Sequence, residues 1–344
     1  MASKFDIHIS EIERKETHDL EYSKLVLKFT GKDVSDVLIN TLRRILLDDI
    51  PTYAFPTECI DIEKNTSVFN NDQMKIRLTQ LPLLNMKLDL SYLDDDYWLN
   101  VNYASHERNI CPLEKNVEIY INAKNFDESI KNITTNDIEY YVDNERTHHQ
   151  YNEKYPIVLI KLRPTEVFKC KLKAVLGVGE RNVIWSGTSN AYYNTETDGK
   201  DKTIATLFIE SHGQFSEYEL LWKACRYMQI KMNKLEEKIK NKYETVYSRC
   251  SDIANIELTL DEETYTIGGI ITHFLQDLDI VEFAGVGRKN DLVKQITIKV
   301  IYKKTVKEPL EPIFNALSQC RNVVKQIENT IYDIGKKYIH KYVK

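Results

Sequence analysis

The chain has 344 residues, 42% hydrophobic and 29% charged, with 47 lysines and arginines against 52 aspartates and glutamates and a formal net charge of −5. Those proportions exclude a disordered chain, and the length allows two or three domains. A net negative chain is no general polyanion binder, so contact with nucleic acid would need a local basic patch.

The opening "MASKFDIHISEIERK" carries charges where a signal peptide needs an apolar core. The longest apolar runs, such as "PIVLI" at Pro156–Ile160, fall far short of a membrane span. A soluble, intracellular protein without membrane contact is the expectation. Cysteines stand at 59, 111, 170, 225, 250 and 320, with no C-x-x-C pair. Such scatter suits buried thiols in a reducing compartment, and predicts no metal and no cofactor.

In chain order, residues 5–30 alternate as strands, notably "KLVLKF" at Lys24–Phe29. Gly31 turns the chain, Asp33 or Ser35 can cap a helix running to about Asp49, and Pro51 ends it. "TYAFPTECIDI" resumes extended structure. From about 64 to 202 the texture changes to many short strands: a hairpin by pattern at Met86–Tyr103, polar loops between Asn122 and Gln150, then two strands within "YPIVLIKLRPTEVFKCKLKAVLG". "TIATLFIES" (Thr203–Ser211) is a further strand. A long helix follows, in which Leu221, Ala224, Met228, Met232, Leu235, Ile239, Tyr243 and Val246 step by three and four. After Ser248 the pattern restarts with the strand "ANIELTLD", a helix near 267–278, "VEFAGVG" and "KQITIKVIYK". A last helix has the stripe Ile313, Leu317, Cys320, Val324, Ile327, Ile331 and Ile334.

Val34, Val37, Leu38, Leu42 and Ile45 recur in spacing as Ile267, Ile270, Ile271, Leu275 and Leu278. Each set follows a strand, leads into another, and belongs to a half that closes with a long helix. One repeat over that distance means duplicated units, not a solenoid. The fold class expected is therefore α+β, with two related units packed as a pseudo-dimer within one chain. The first unit is interrupted by a mainly β insertion. The boundaries are 1–63 with 203–250 for the first unit, 64–202 for the insertion and 251–344 for the second. The faces expected to pair carry Val34, Leu38, Leu42 and Ile45; Ile267, Ile271 and Leu275; Met228 and Leu235; and Ile327 and Ile331.

Candidate catalytic features are weak. "GVGERN" (Gly177–Asn182) lacks a third glycine and a following helix, both of which phosphate binding needs. Asp94–Asp96 reads as a solvated hairpin tip, because neighbours on a strand point to opposite faces. His148 and His149 lie in a polar loop without ligand partners at suitable spacing. The lysines of the helices at 220–247 and 321–344 read as solvated faces. No Ser/His/Asp or Cys/His set is readable, so no catalytic residue is assigned.

"NTLRRILLDDIP" (Asn40–Pro51) is the informative stretch. At 100° per residue the apolar positions from Val34 to Leu46 cover an arc of roughly 200°, wider than one packed surface requires. The remaining arc holds Asn40, Arg43, Arg44 and Leu47. Arginine stems can lie over apolar surface and pair with Asp48 or Asp49. Arginine among apolar side chains is also an interface composition, because its planar fork tolerates partial burial. The interface is the favoured reading.

"NTLRRILLDDIPTYAFPT" resembles the signature helix of the RNA polymerase alpha-subunit family, which includes archaeal D and its eukaryotic counterparts. "IRLTQLPL" (Ile76–Leu83) is similar to that family's "HRxGLIPL", and "KAVLGVGERNVIW" (Lys173–Trp185) to its "GxGxxHAKW", with Asn182 and Ile184 departing. "EETYTIGGII" and "VEFAGVGRKNDL" resemble the small partner, archaeal L, with departures at Tyr265, Gly269, Asn290 and Asp291. The resemblance spans nearly the whole chain and implies an alpha-like subunit fused to its small partner, as in polymerases of large DNA viruses. It implies a non-catalytic platform on which the two large catalytic subunits dock. Asn40, Arg43 and Arg44 would then face a large subunit, with other polymerase subunits as further partners, DNA reached only through the complex, and no homo-oligomer. Location in the virion and host cytoplasm follows for a viral protein. A free-standing nucleic-acid binder using its basic helices is the alternative. An enzyme built around the Gly177–Gly179 loop ranks behind it.

Overall fold

The computed structural model describes residues 5–17, 22–84, 114–197, 203–247 and 253–339. The hairpin expected at 86–103, with Asp94–Asp96, lies outside these residues, as do Cys111 and Cys250.

The architecture is mixed α and β, and among the described residues every strand pair is antiparallel. Strands β1 (His8–Thr17) and β2 (Tyr22–Thr30) precede helix α1 (Asp36–Asp48). Ser35, in extended conformation, caps α1 by accepting a hydrogen bond from the Leu38 N–H at 3.2 Å. Val34 is buried but precedes the helix, so it belongs to the entry into α1 and not to its face. Next come β3 (Thr52–Ala54), β4 (Ile60–Asn65) and α2 (Asn71–Thr79).

Helix α2 occupies sequence expected to be strand-rich. Its signal is local rather than periodic: Asn70 accepts from the Gln73 N–H, and the Gln73 side chain answers the Asn70 N–H, a reciprocal cap that starts a helix with little apolar face.

Strands β5 (Val117–Lys124), β6 (Lys131–Thr134), β7 (Ile138–Val142), β8 (Glu145–Thr147), β9 (Val158–Leu162) and β10 (Val167–Gly177) follow. The eleven-residue β10 organises this region, pairing with β3 and β4 along one edge and β5 along the other. Then come β11 (Thr188–Thr197), β12 (Thr203–Ser211) and the 31-residue α3 (Glu217–Tyr247). The chain closes with β13 (Ile253–Asp261), α4 (Tyr265–Gln276), β14 (Val281–Gly287), β15 (Gln295–Val306) and α5 (Glu311–Gly335).

Two sheets flank the helices. The first has the order β1-β2-β12-β11, so a strand from beyond residue 202 returns to pair with β2. Strand β11, placed by the sequence division in the intervening region, joins this sheet as well, while β3 and β4 join the sheet of β10. The second flanking sheet has the order β13-β15-β14. Helix α1 packs on α3 and α4, and α5 packs on the same two, so helices from both ends of the chain share one layer. Leu38, Leu42, Ile45, Met228, Leu235, Ile267, Ile271, Leu275, Ile327 and Ile331 all lie in one continuous buried cluster. Each such side chain contributes about 1.5–3 kcal/mol on leaving water. Val246 and Ile334, counted in the stripes by spacing, are exposed near the ends of their helices.

Polar contacts fasten the two ends of the layer. The Phe5 N–H donates to Gln326 Oε1 at 3.1 Å, and Gln326 Nε2 donates to the Phe5 carbonyl at 2.8 Å. At the far end of α3, the Tyr243 hydroxyl donates to the Thr259 carbonyl at 3.0 Å and accepts from the Thr259 N–H at 2.7 Å. Lys242 Nζ reaches Asp261 at 3.0 Å. Among the described residues, no helix is long and apolar enough to cross a membrane.

Candidate functional site

With one side of α1 committed to α3, α4, β11 and β12, its outer side carries Asn40, Arg43, Arg44 and Leu47. The two arginines are held differently. Arg43 is half-buried, and its Nε and Nη2 both donate to Asn40 Oδ1, at 3.1 and 2.9 Å. Arg44 is 49% exposed and donates from Nη2 to Asp48 Oδ2 at 3.2 Å, one turn along. An exposed i,i+4 pair of this kind is worth a few tenths of a kcal/mol, so Arg44 can exchange Asp48 for another acceptor at little cost. The fork of Arg43 is already aimed by Asn40.

The carboxyl end of α1 is closed by the "GVGERN" loop. The Glu180 N–H donates to the Asp48 carbonyl at 2.8 Å, and a Cβ on Gly179 would stand 2.2 Å from the Leu47 carbonyl oxygen. Glycine is required there because the loop backbone lies against the last turn of the helix. The loop runs into a three-residue 3-10 turn, Val183–Trp185, so no helix amino terminus stands behind it to bind phosphate. Glu180 also pairs with Lys294 at 2.8 Å, which joins this corner to the approach to β15.

Acidic groups at this corner titrate abnormally. Burial pushes the Asp49 carboxyl up to about 7; Glu180 adds to the rise, while Lys231 and the Tyr227 hydroxyl, 3.2 Å away, oppose it. Burial also raises Asp48, against the opposing charge of Arg44.

The expectation of solvated lysines on the long helix fails at two positions. Lys223 pairs with Glu219 at 3.5 Å and Lys231 with Glu263 at 3.2 Å, and all four residues are buried. The spacing carried that signal: Lys231 stands three residues after Met228 and four before Leu235, on the apolar stripe itself. Buried partners at such distances are costly to separate, because removal of one strands the other.

The remaining candidates stay apart. His148 is exposed and 3.2 Å from Glu153. Cys170, Cys225 and Cys320 are buried and Cys59 is half-buried. Burial pushes the Cys170 and Cys320 thiols up to about 12 and raises Cys225 as well, which makes them poor nucleophiles and poor metal ligands. Among the described residues, no cluster of three His, Cys, Asp or Glu side chains is arranged to hold a metal ion.

No known protein-family profile matches the chain. It is similar to a protein of Acanthamoeba polyphaga mimivirus provisionally described as a DNA-directed RNA polymerase subunit, with 23% identity over 96% of this chain and 95% of that protein. It is 28% identical to the RPB3 subunit of DNA-directed RNA polymerase II from Schizosaccharomyces pombe, over 48% of this chain and 55% of that subunit. A 64-residue stretch, 19% of this chain and 23% of the other, is 38% identical to the DNA-directed RNA polymerase subunit Rpo3 of Methanosarcina acetivorans. A viral relative of full length, with cellular relatives matched over part of their length, makes this chain a homologue of the alpha-like subunits of DNA-directed RNA polymerases.

Proposed function

We propose that the chain is a non-catalytic assembly subunit of a multisubunit RNA polymerase, acting as a platform for the two largest subunits in transcription of viral genes. The observation that carries this reading is α1. Its inner side is buried in the shared helix layer, while Asn40, Arg43 and Arg44 stand on the outer side with donors to offer. In this reading residues 1–63 with 203–250 and residues 251–344 are the two halves of a pseudo-dimer. Residues 64–202 are an insertion apart from the strand that joins the first sheet. Other polymerase subunits are further partners, DNA is met only through the complex, and no cofactor is needed. For a viral protein the location is the virus particle and host cytoplasm.

Free-standing nucleic-acid binding is the weaker reading, since Lys223 and Lys231 are spent on buried carboxylates and the net charge is −5. The test is co-purification of the large subunits with Arg44→Ala, alongside a melting curve. Loss of the large subunits from a variant that still melts normally is the expected result. Normal assembly, or failure only through unfolding, refutes the partner-facing role of α1. Salt-dependent DNA binding by the isolated chain would favour the second reading.

A further inference from the structure

The loop that closes the end of α1 has a fixed base and a charged tip. At the base, the Trp185 indole N–H donates to the Val175 carbonyl at 2.9 Å, and a Cβ on Gly177 would stand 2.4 Å from the same ring. Between these points Glu180, Arg181, Asn182 and Val183 are exposed. Glu180 fastens the tip twice. Its N–H donates to the Asp48 carbonyl at 2.8 Å, and its carboxylate oxygens lie 2.8 and 3.0 Å from Lys294 Nζ. One bond reaches α1, the other the approach to β15.

The tip brings α1 a third carboxylate. Asp48 and Asp49 already stand at the carboxyl end of this helix, Asp49 as its cap, and the last turn holds no lysine or arginine. That end of a helix is the negative pole of its dipole and disfavours anions. Each acid has a different partner. Asp48 pairs with Arg44 one turn back, and Glu180 with Lys294. The Asp49 carboxylate takes a hydrogen bond from the neutral Tyr227 hydroxyl of α3 at 3.2 Å, with Lys231 of the same helix as the cation acting on it. Lys231 is shared: it stands 3.2 Å from Glu263, before α4, and Lys238 stands 3.7 Å from that same carboxylate.

Closing the loop therefore gathers acids at a negative pole, and a proton relieves the crowding. Asp49 is the group that takes it, since burial and the Glu180 charge both raise its carboxyl. With the loop open, Glu180 carries its charge away and Asp49 regains water, so the open form holds the proton less tightly. The sign follows: closing binds a proton, so rising pH favours opening.

We propose that residues 178–184 form a proton-operated flap, closed over the end of α1 while this acidic corner carries a proton and open once the proton is lost. The proposal goes beyond the assembly reading and does not rest on it, because one chain contains every part.

Hydrogen exchange of the purified full chain tests it, read at the Glu180 N–H and corrected for the intrinsic rate at each pH. From about pH 5.5 to about pH 8.5 the opening constant should rise about tenfold, what a one-unit difference in proton affinity between the two forms gives. Asp49→Asn keeps the acceptor for Tyr227 and should make opening independent of pH. Glu180→Gln keeps the N–H but removes the approaching charge, and should shrink the response to about threefold or less. Dilute urea speeds exchange that needs global unfolding, as in β12, and leaves a small local opening unchanged. Equal opening at both pH values overturns the proposal. So does a full response in either variant, or Glu180 exchange that follows β12 in urea.

Discussion

Helices α1 and α4 enter one apolar cluster through the same spacing, with Leu38 and Leu42 on the first matched by Ile271 and Leu275 on the second. Their other sides differ. Where α1 presents Asn40, Arg43 and Arg44, the same spacing brings His273, Gln276 and Asp277 to α4. Gln276 donates to the Ala284 carbonyl at 2.7 Å, while Arg44, itself 49% exposed, holds the half-buried carboxylate of Asp48 one turn away. The buried sides must interlock, so their shape is constrained. The outer sides are not bound by that requirement, and their chemistry differs.

The largest effects should come where the helices agree. Leu42→Ala and Leu275→Ala each open a cavity in a fully buried site and should cost about 2–5 kcal/mol in urea unfolding. A loss below ~1 kcal/mol for either one would break the equivalence of the two faces.

Next is the divergence itself. Arg44→Ala should weaken assembly by ~2 kcal/mol or more, at least ~25-fold in affinity, while folding stability changes by less than ~0.5 kcal/mol. Arg43→Ala should do less, because its fork is partly satisfied by Asn40. Quantitative pull-down of the large subunits, variant against wild type, measures both.

Asp49 sharpens the comparison through pH. Its pKa rises on folding from an ordinary 3.8 to about 7. The folded state therefore keeps a proton that the unfolded chain gives up above pH 4, and stability drops as pH climbs from about 4 through 7. Asp49→Asn keeps the acceptor for Tyr227 and removes the titration. The variant should gain at least ~1 kcal/mol relative to wild type between pH 4 and pH 8, what one pKa unit is worth. Parallel urea curves at the two pH values check it, and an unchanged difference refutes it.

The smallest effect belongs to α4. Gln276→Ala frees the Ala284 carbonyl and should cost about 0.5–1.5 kcal/mol of stability without the assembly defect of Arg44→Ala. An assembly defect in a stable Gln276→Ala protein would mean that both outer sides meet partners.

Much of this was legible in sequence because it rests on period. The long stripe from Leu221 to Ile239, the cap at Ser35 and the strands of β10 and β15 all follow from spacing or local side-chain chemistry. Helix α2 escaped because a reciprocal cap, not an apolar face, starts it. The buried pairs Lys223–Glu219 and Lys231–Glu263 escaped because charge was read as solvent-facing even where the spacing put it inside. At the candidate site, spacing separated the outer residues from the inner ones. It could not reveal that Gly179 and Glu180 close the end of the same helix from more than a hundred residues away.

Between the end of α3 and the start of β13 lie only residues 248–252, six chain steps that can reach at most about 22 Å. Segments of chain tied this closely meet at an effective concentration in the millimolar range. Dilution cannot separate them, and none can be made in excess of another. There is also an order in time. The apolar stripe of α3 leaves the ribosome before α4 and α5 exist, and at about 5–20 residues per second the last roughly 90 residues take about 5–20 s to follow. During that interval Met228 and Leu235 await their cover, and the nascent chain is most open to misassociation then.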